Sequence, residues 1–388
     1  MRGHIRKRGN SWVIVAYLGR DPQTGKRRYQ WQSVKGNKKQ AEKELTALLT
    51  RLENGIYIKP TKMTVEEYLE QWLQDYVSSN VRPRTREDYT SKVRLHIIPE
   101  LGRVGLTELQ PSHIQAFYRK KLESGRIDGK GGLSARTVLH LHRILSESLE
   151  HAMRWGYVGR NVARLVDPPR AIHKEMQTLN ADEVHKLLDA FKGTIYYPIT
   201  YLAIHTGLRR SELLGLRWRD VDLDMATLSV VQVLLTLNGG IVHFQEPKTH
   251  KSRRQVSLAP SVALELRKHK EDQQINYMMT GNQLTPDSLV FSHSDGAPIL
   301  PSAVSHNFVK IARHIGLVGV RFHDLRHTHA TLLLKDGIHP KVVQERLGHS
   351  NISMTLDTYS HVTPDMQRSA AQALEKVLSR ERPFQGAN

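Results

Sequence analysis

The stretch HDLRHTHAT at 323–331, followed by LGHS at 347–350 and DTYS at 357–360, decides how this chain is read. Within 37 residues, 323 to 359, it gathers His323, Arg326, His349 and Tyr359. His-x-x-Arg alone carries little information. With 21 His and 57 Lys+Arg in 388 residues, chance supplies roughly three histidines with a basic residue at any one spacing. The meaning of the cluster depends on what stands upstream of it and on the charge of its partner.

Lys+Arg exceed Asp+Glu by 57 to 38, a formal net charge of +19, and the pI is near 10. Such an excess favours a polyanionic partner, most simply nucleic acid, with an anionic membrane surface as the competitor. No apolar run reaches the roughly 18 residues a membrane span needs. The apolar segment WVIVAYL after MRGHIRKRGNS is broken by Gly19 and Arg20, too soon for a secretory signal. The chain has no cysteine. Disulfides, a thiol nucleophile and Cys-ligated zinc are therefore excluded, and a reducing bacterial cytoplasm fits. The charge is uneven. Residues 1–60 hold 14 basic against 4 acidic residues, a net of +10; residues 61–178 hold 19 against 14, a net of +5.

The basic N-terminus is interleaved with Trp12, Val13, Ile14, Val15, Tyr17, Tyr29 and Trp31, so it reads as a folded unit rather than a solvated tail. Strands are expected over 3–8, 11–18 and 26–34, parted by Gly9-Asn10 and the Asp21-Pro22…Gly25 turn; a helix starts at Asn37 and ends at Gly55. Tyr57 to Lys62, with Pro60, reads as a linker. Helices are expected at 64–78, 84–97, 111–124 and 134–154, with Val65, Tyr68, Leu69 and Trp72 as one apolar face and Ile114, Phe117, Tyr118 and Leu122 as another. GRIDGKGG at 125–132 lacks the strand and the Gly-Lys-Ser/Thr of a phosphate loop and reads as a connector. A second linker follows Val166-Asp167-Pro168-Pro169. Beyond it, Asn180 caps a helix from Ala181, and 228–237 with 241–244 form a hairpin around Asn238-Gly239-Gly240, with a third strand at 253–258. Helices resume at 261–278, 301–315, 324–336, 340–347 and 364–380. No internal repeat is present.

Breaking a phosphodiester with a protein nucleophile needs four things: the nucleophile, cations on the nonbridging oxygens, an acid for the leaving alkoxide, and a base or hydrogen bond for the nucleophile. Around 323–359 carboxylates are sparse and cations abundant, which favours an arginine-based site over a metal site. TGLRRSELLGLRWRDVDL at 206–223, EPKTHKSRRQVSL at 246–258, HDLRHTHATLLL at 323–334 and LGHSNISMTLDTYSHV at 347–362 complete an ordered set: Arg, Lys, His-x-x-Arg, His, Tyr. Over about 175–380 this series resembles the tyrosine recombinase, or phage integrase, family.

The resemblance implies that Arg209 and Arg326 clamp the scissile phosphate, and an arginine's planar, permanently charged fork suits that task. It implies that Lys248 protonates the 5′-oxygen leaving group, that His323 takes the tyrosine proton or holds the phosphate, and that His349 donates to a nonbridging oxygen. Tyr359 would attack phosphorus and form a 3′-phosphotyrosyl link, and Glu212 would orient the arginines. Arg210 is the alternative clamp, and Lys251 and Arg253 are the alternatives to Lys248. Tyr359 has the alternative of a packed core tyrosine, the reading given to Tyr196, Tyr197 and Tyr201; His329 and His361 read as packing or capping residues. His323 and His327 have the spacing of a zinc helix, but Asp324 and Arg326 spoil the pattern, and no metal is expected.

VRPRTREDYTSKVRLHIIPELG at 81–102 is similar to the helical core-site DNA-binding domain of that family, and the sheet and helix of 1–55 resemble its arm-site-binding domain. The expected fold is thus multidomain and mainly α with small β-sheets: an arm-site domain of three strands and a helix over 1–58, a helical core-site domain over 62–166, and a mixed α+β catalytic domain with a tail helix over 176–388. Candidate DNA contacts are Arg6, Arg8, Lys26, Arg27, Arg28, Tyr29 and Trp31 in the first, and Arg82, Arg84, Arg86 and Lys92 in the second. A solvated face explains the latter group equally well. The resemblance implies integration and excision of a mobile element by a homotetramer on paired attachment sites, core and arm. It implies DNA-bending proteins and an excision factor as partners, a nucleoid location, and no metal or ATP. In the family the C-terminal segment, here 364–380, docks on a neighbouring protomer; packing on its own domain is the alternative. A type IB topoisomerase and a DNA-binding regulator without chemistry are the competing classes.

Overall fold

The structure is a computed structural model that describes residues 3–9, 11–20, 24–53, 62–172, 176–247, 252–353 and 355–356, with isolated positions from 368 to 378. Two compact units divide the chain, Met1–His173 and Lys174–Asn388.

The first unit opens with an antiparallel sheet, β1 (Gly3–Arg8), β2 (Ser11–Arg20) and β3 (Arg27–Lys35), in the order β1-β2-β3. Helix α1 (Lys38–Glu53) follows, its first turn held by Asn37 Oδ1, which accepts from Gln40 N at 2.9 Å. Cross-strand partners share a face. Gly3 with Ala16 and Ile5 with Ile14 lie on the α1 side, where Leu48 and Leu52 pack. A Cβ on Gly3 would stand 2.8 Å from a Leu45 methyl, so glycine lets the helix approach. The opposite face carries Arg6 with Val13, Arg8 with Ser11, Val15 with Trp31, and Tyr17 with Tyr29. Among the described residues, no helix packs on this face.

The helical part of the unit runs through α2 (Val65–Trp72), a π turn (Leu73–Val77), α3 (Ser78–Asn80), α4 (Pro83–Lys92), a second π turn (Val93–Ile97), α5 (Ile98–Leu101), α6 (Pro111–Ser124) and α7 (Ala135–Arg154). Thr64 and Glu67 form a reciprocal cap on α2. Val65, Tyr68, Leu69 and Trp72 are buried as expected, against the stripe Val138, Leu141, Ile144, Leu145 and Leu149 of α7. The helix expected at 84–97 continues to Leu101 through the π turn. Pro99 has no N–H and crowds the carbonyl four residues back, so the wider turn just before it relieves the ladder. One face differs from expectation. Leu122 is 39% exposed, and Lys121 is buried in its place beside Phe117 and Tyr118. Its aliphatic stem packs inward while Nζ reaches Glu100 at 3.0 Å.

The second unit contains α8 (Ala181–Phe191), α9 (Tyr197–Thr206), α10 (Arg210–Leu214), β4 (Val221–Asp222), β5 (Thr227–Val230), β6 (Val233–Thr236), β7 (Val242–Gln245), β8 (Arg254–Ser257), α11 (Pro260–Met279), α12 (Pro301–His314), α13 (Asp324–Lys335) and α14 (Pro340–Leu347). Asn180 caps α8 through a reciprocal pair with Glu183. The strand expected over 228–237 is two strands. β5 pairs with β4 and β8, whereas β6 pairs with β7 in a separate ribbon. The chain breaks at Val231-Gln232 because Gln232 Nε2 donates to the Gly215 carbonyl at 2.8 Å, at the end of α10. A Cβ at Gly215 would lie 2.9 Å from Leu234 N, so the ribbon sits directly on that glycine. The β6–β7 turn uses Gly239 and Gly240 at φ 77° and 78°, as a glycine pair in a tight turn requires. The tail helix expected at 364–380 lies outside the described residues apart from isolated positions.

Candidate active site

The TGLR turn ends α9 with Gly207 in the left-handed region, at φ 66° and ψ 18°. Side chains would not fit there: a Cβ would stand 2.6 Å from Leu347 Cδ2 and 2.7 Å from His329 Cδ2. The tight crossing places Arg209 at the N-cap of α10, in extended conformation. Its backbone N–H donates to Glu212 Oε2 at 2.9 Å and its Nη1 to Glu212 Oε1 at 2.7 Å. Neighbouring Arg210 points elsewhere, donating to Ser305 Oγ on α12, so Arg209 is the one of this pair that meets Glu212.

Glu212 is 3% exposed and also accepts from Arg254, Nη2 to Oε2 at 2.9 Å and Nη1 to Oε1 at 3.3 Å. Burial alone would raise its pKa. The guanidiniums of Arg254, Arg209 and Arg326 outweigh that and hold the carboxyl below its ordinary value. Glu212 is therefore an ionised hub for three arginines. Arg326 sits in the first turn of α13, 3% exposed, with Nη1 on the Gly207 carbonyl and Nη2 on the Leu347 carbonyl, both at 2.7 Å. A buried guanidinium gripped by carbonyls from two other segments has little freedom of orientation.

His323 stands at the N-cap of α13 with its side chain at the surface. Packing around the ring, then Arg326 and Arg209, lower its pKa. His327, one turn on, faces it with ring centroids 4.9 Å apart. Burial and the His323 ring push the His327 pKa down to about 4. The same arginines would repel a divalent cation, which speaks against the zinc-helix spacing. Among the described residues, no three His, Asp or Glu side chains group as a metal site.

His349 follows Gly348, the left-handed C-cap of α14, and is 8% exposed. Its Nδ1 lies 2.9 Å from Thr355 Oγ1. Burial, then Arg326, Arg209 and Arg254, bring its pKa down to about 3. His323 and His349 each lie within electrostatic reach of Arg326 and Arg209, and both arginines act on Glu212, so side chains read from three separate stretches of sequence meet at one pair of guanidiniums. Lys248, Lys251, Tyr359 and His361 lie outside the described residues. Arg253, the remaining alternative to Lys248, is ion-paired with Glu246. Tyr196, Tyr197 and Tyr201 are partly buried against the core, as expected.

Sequence reasoning missed Arg254 and Arg346. The signal for Arg254 was there: it alternates with Val256 and Leu258, both buried, so the strand aims it inward. Arg346 had no such signal. His329, read as a packing residue, is 6% exposed and bonded on both ring nitrogens.

In the first unit, Arg6, Arg8, Lys26, Arg27, Arg28, Tyr29 and Trp31 are all exposed, Trp31 at 57%. Arg82, Arg84 and Arg86 are exposed on α4 and its N-cap, Lys92 partly so; Arg84 pairs with Glu87 at 3.2 Å.

Residues 177–366 match the model of the Phage integrase family, and residues 64–122 match that of the phage integrase N-terminal SAM-like domain. A tyrosine recombinase XerC-like protein of Caldanaerobacter subterraneus is 30% identical over 359 residues, 88% of this chain and 90% of the relative. The fold is similar to the Tn1549 transposon integrase in complex with transposon right end DNA: TM-score 0.68, 22% identity, 81% of this chain and 100% of that one. It is also similar to the lambda integrase tetramer bound to a Holliday junction: TM-score 0.57, 21% identity, 100% and 97% of the two chains.

Proposed function

This chain belongs to the phage integrase family of tyrosine recombinases, and from that premise we propose how its residues divide the work of cutting and rejoining DNA. It is a site-specific DNA recombinase that integrates and excises a mobile element. The observation that carries the assignment of roles is that Arg209, bonded to Glu212, and Arg326, held by the Gly207 and Leu347 carbonyls, both lie within electrostatic reach of His323 and His349.

Arg209 and Arg326 bind the two nonbridging oxygens of the scissile phosphate, and Glu212 with the carbonyls of Gly207 and Leu347 sets their directions before DNA arrives. His349 Nδ1 lies against the Thr355 hydroxyl at 2.9 Å; in the tautomer assigned here that hydroxyl donates to Nδ1, and Nε2–H is presented to a phosphate oxygen. His323, kept neutral by its surroundings, receives the proton of Tyr359. The Tyr359 oxygen attacks phosphorus, the bond to the 5′-oxygen breaks, and Lys248 gives that oxygen a proton. The product is a 3′-phosphotyrosyl link and a free 5′-hydroxyl. Attack by a 5′-hydroxyl from another strand reverses the step, so no ATP is consumed. Tyrosine recombinases generally work without a cofactor; here Arg209 and Arg326 supply the charge that a metal would bring.

We further divide the chain into an arm-site domain over 1–58, a core-site domain over 62–166 and a catalytic domain over 176–388. The helix-free face with Arg6, Arg8, Tyr29 and Trp31 supports arm-site binding, since stacking rings among guanidiniums suit a phosphate-lined groove. Arg82, Arg84, Arg86 and Lys92 are assigned to the core site. The protein acts as a homotetramer on two paired sites, aided by DNA-bending proteins and an excision factor, at the nucleoid in the bacterial cytoplasm. No helix among the described residues is long and apolar enough to cross a membrane. The tail, 364–380, docks on the adjacent protomer and governs Tyr359.

The test uses a nicked duplex built on the sequence that the protein selects from a random pool. Tyr359→Phe is expected to bind it like the wild type and to form no covalent adduct. An adduct with the Phe variant would overturn the assignment. Relaxation of supercoils by a monomer, without synapsis, would favour a topoisomerase instead.

A further inference from the structure

Among the described residues, the Arg346 side chain meets none of the groups assigned to the phosphate, yet it ties together the segments that carry them. It lies half-buried in the last turn of α14. Its Nη1 donates to the Ser257 carbonyl at the end of β8 at 2.9 Å, and its Nη2 donates to the His205 carbonyl on α9 at 2.9 Å. Its Nε donates to His329 Nε2 on α13 at 3.1 Å. One planar group thus pins three elements that reach the site from separate parts of the sequence.

The His329 ring is matched to this task. Nδ1 lies 2.8 Å from the Ile204 carbonyl, which can only accept, so Nδ1 carries the proton. The lone pair is then on Nε2, aimed at Arg346. Burial and the Arg346 charge keep this ring neutral, with a pKa of about 3. A protonated ring would have no acceptor for Arg346.

The backbone at Arg346 and Leu347 is where the pin meets the site. The Arg346 carbonyl accepts from Arg254 Nε at 2.7 Å, and the Leu347 carbonyl accepts from Arg326 Nη2 at 2.7 Å. Gly348 and His349 come next in the chain. One helical turn therefore aims Arg326 and Arg254 and delivers His349.

We propose that Arg346, held by His329, is a positioning residue for strand cleavage: it fixes the C-terminal turn of α14 so that the Leu347 carbonyl aims Arg326 at the phosphate and His349 enters the site. The proposal rests on the strand-cleavage reading above. It differs from simple packing in one respect. A packing residue affects every reaction of the folded enzyme alike, whereas this pair matters in proportion to the charge that the clamp must meet.

The experiment uses the full-length chain and the nicked selected duplex, with either an ordinary phosphodiester or a methylphosphonate at the scissile position. The methylphosphonate lacks one charged oxygen and so asks less of the arginines. Arg346→Lys keeps the charge but cannot span the three partners; His329→Phe keeps the ring volume but removes the acceptor. Each is expected to slow covalent adduct formation about tenfold to hundredfold on the phosphodiester, while the Kd for duplex stays within about threefold. On at least one methylphosphonate diastereomer the deficit should shrink to a few-fold. His329→Gln restores an acceptor and should recover part of the rate. The double variant, Arg346→Lys with His329→Phe, should be no slower than the worse single change. Thermal unfolding of the same samples checks folding; if Arg346→Lys does not fold, the His329→Phe and His329→Gln pair decides alone. An unchanged rate, or an equal deficit on both substrates, would overturn the proposal. Failure of the wild type to form an adduct would overturn the cleavage reading itself, and the proposal with it.

Discussion

Arginine is used in two ways in this molecule. Around Glu212 two of the three arginines are enclosed: the Arg254 side chain is 7% exposed, Arg326 is 3% exposed, and their partners are a carboxylate and main-chain carbonyls, while the Arg209 side chain keeps 34% of its surface exposed. On the helix-free face of β1–β3, Arg6 and Arg8 are exposed beside Tyr29 and Trp31. Enclosure costs desolvation, which only a full set of partners offsets, and it yields a direction fixed before substrate arrives. Exposure costs little and gives charge without a fixed direction, which suits attraction to a polyanion. We propose that the difference separates residues that act on one phosphate from residues that hold many.

The sharpest way to break the comparison is to remove the hub. Glu212→Ala leaves the Arg254 guanidinium enclosed without its carboxylate. Breaking a buried pair in this way is expected to destabilise the fold by about 3–5 kcal/mol, and urea unfolding of the full chain measures it. Loss of less than about 1 kcal/mol, the range of surface pairs, would place the hub in the exposed class instead.

A smaller effect comes from acid. In the unfolded chain His329 and His349 bind protons near their ordinary pKa of 6.5, while in the folded chain both are held down to about 3. The unfolded state therefore binds more protons between those limits, and stability must fall as pH drops below about 6.5. Each ring contributes a slope of up to about 1.4 kcal/mol per pH unit. Glu212 acts in the same direction at lower pH, because its folded pKa is depressed and its stabilisation is lost as the carboxyl takes up a proton. Thermal midpoints between pH 7 and pH 5 should decline, and His349→Gln should flatten the decline. A flat wild-type profile would contradict enclosure of these rings.

The smallest effect belongs to the open face. Arg6→Ala and Arg8→Ala should each reduce the slope of log K against log salt for arm-site duplex by about 1, without moving the unfolding midpoint. An unchanged slope would remove this face from the DNA-binding surface.

Much of the architecture was legible because local rules sufficed. Asn180 and Glu183 cap α8 within one turn, and the glycine pair after Asn238 makes the β6–β7 turn. The division of 228–237 into two strands was not legible. It depends on the Gly215 backbone, and no pattern in the strand itself reports that contact. Arg209, Arg326, His323 and His349 were legible as an ordered set, but their supports were not. Arg346 meets His205, Ser257 and His329 across 141, 89 and 17 residues of chain. Such long-range polar pins leave no periodicity, whereas the inward alternation of Arg254 with Val256 was readable and went unread.

We propose that Tyr359 is the nucleophile of an arginine-built site. The most direct test of that assignment is mass spectrometry of the covalent adduct trapped on the nicked duplex in the presence of EDTA. The expected result is a 3′-phosphate of the cleaved strand on Tyr359, formed without a divalent metal. DNA attached to any other residue, or an adduct that appears only when a divalent metal is supplied, would contradict it.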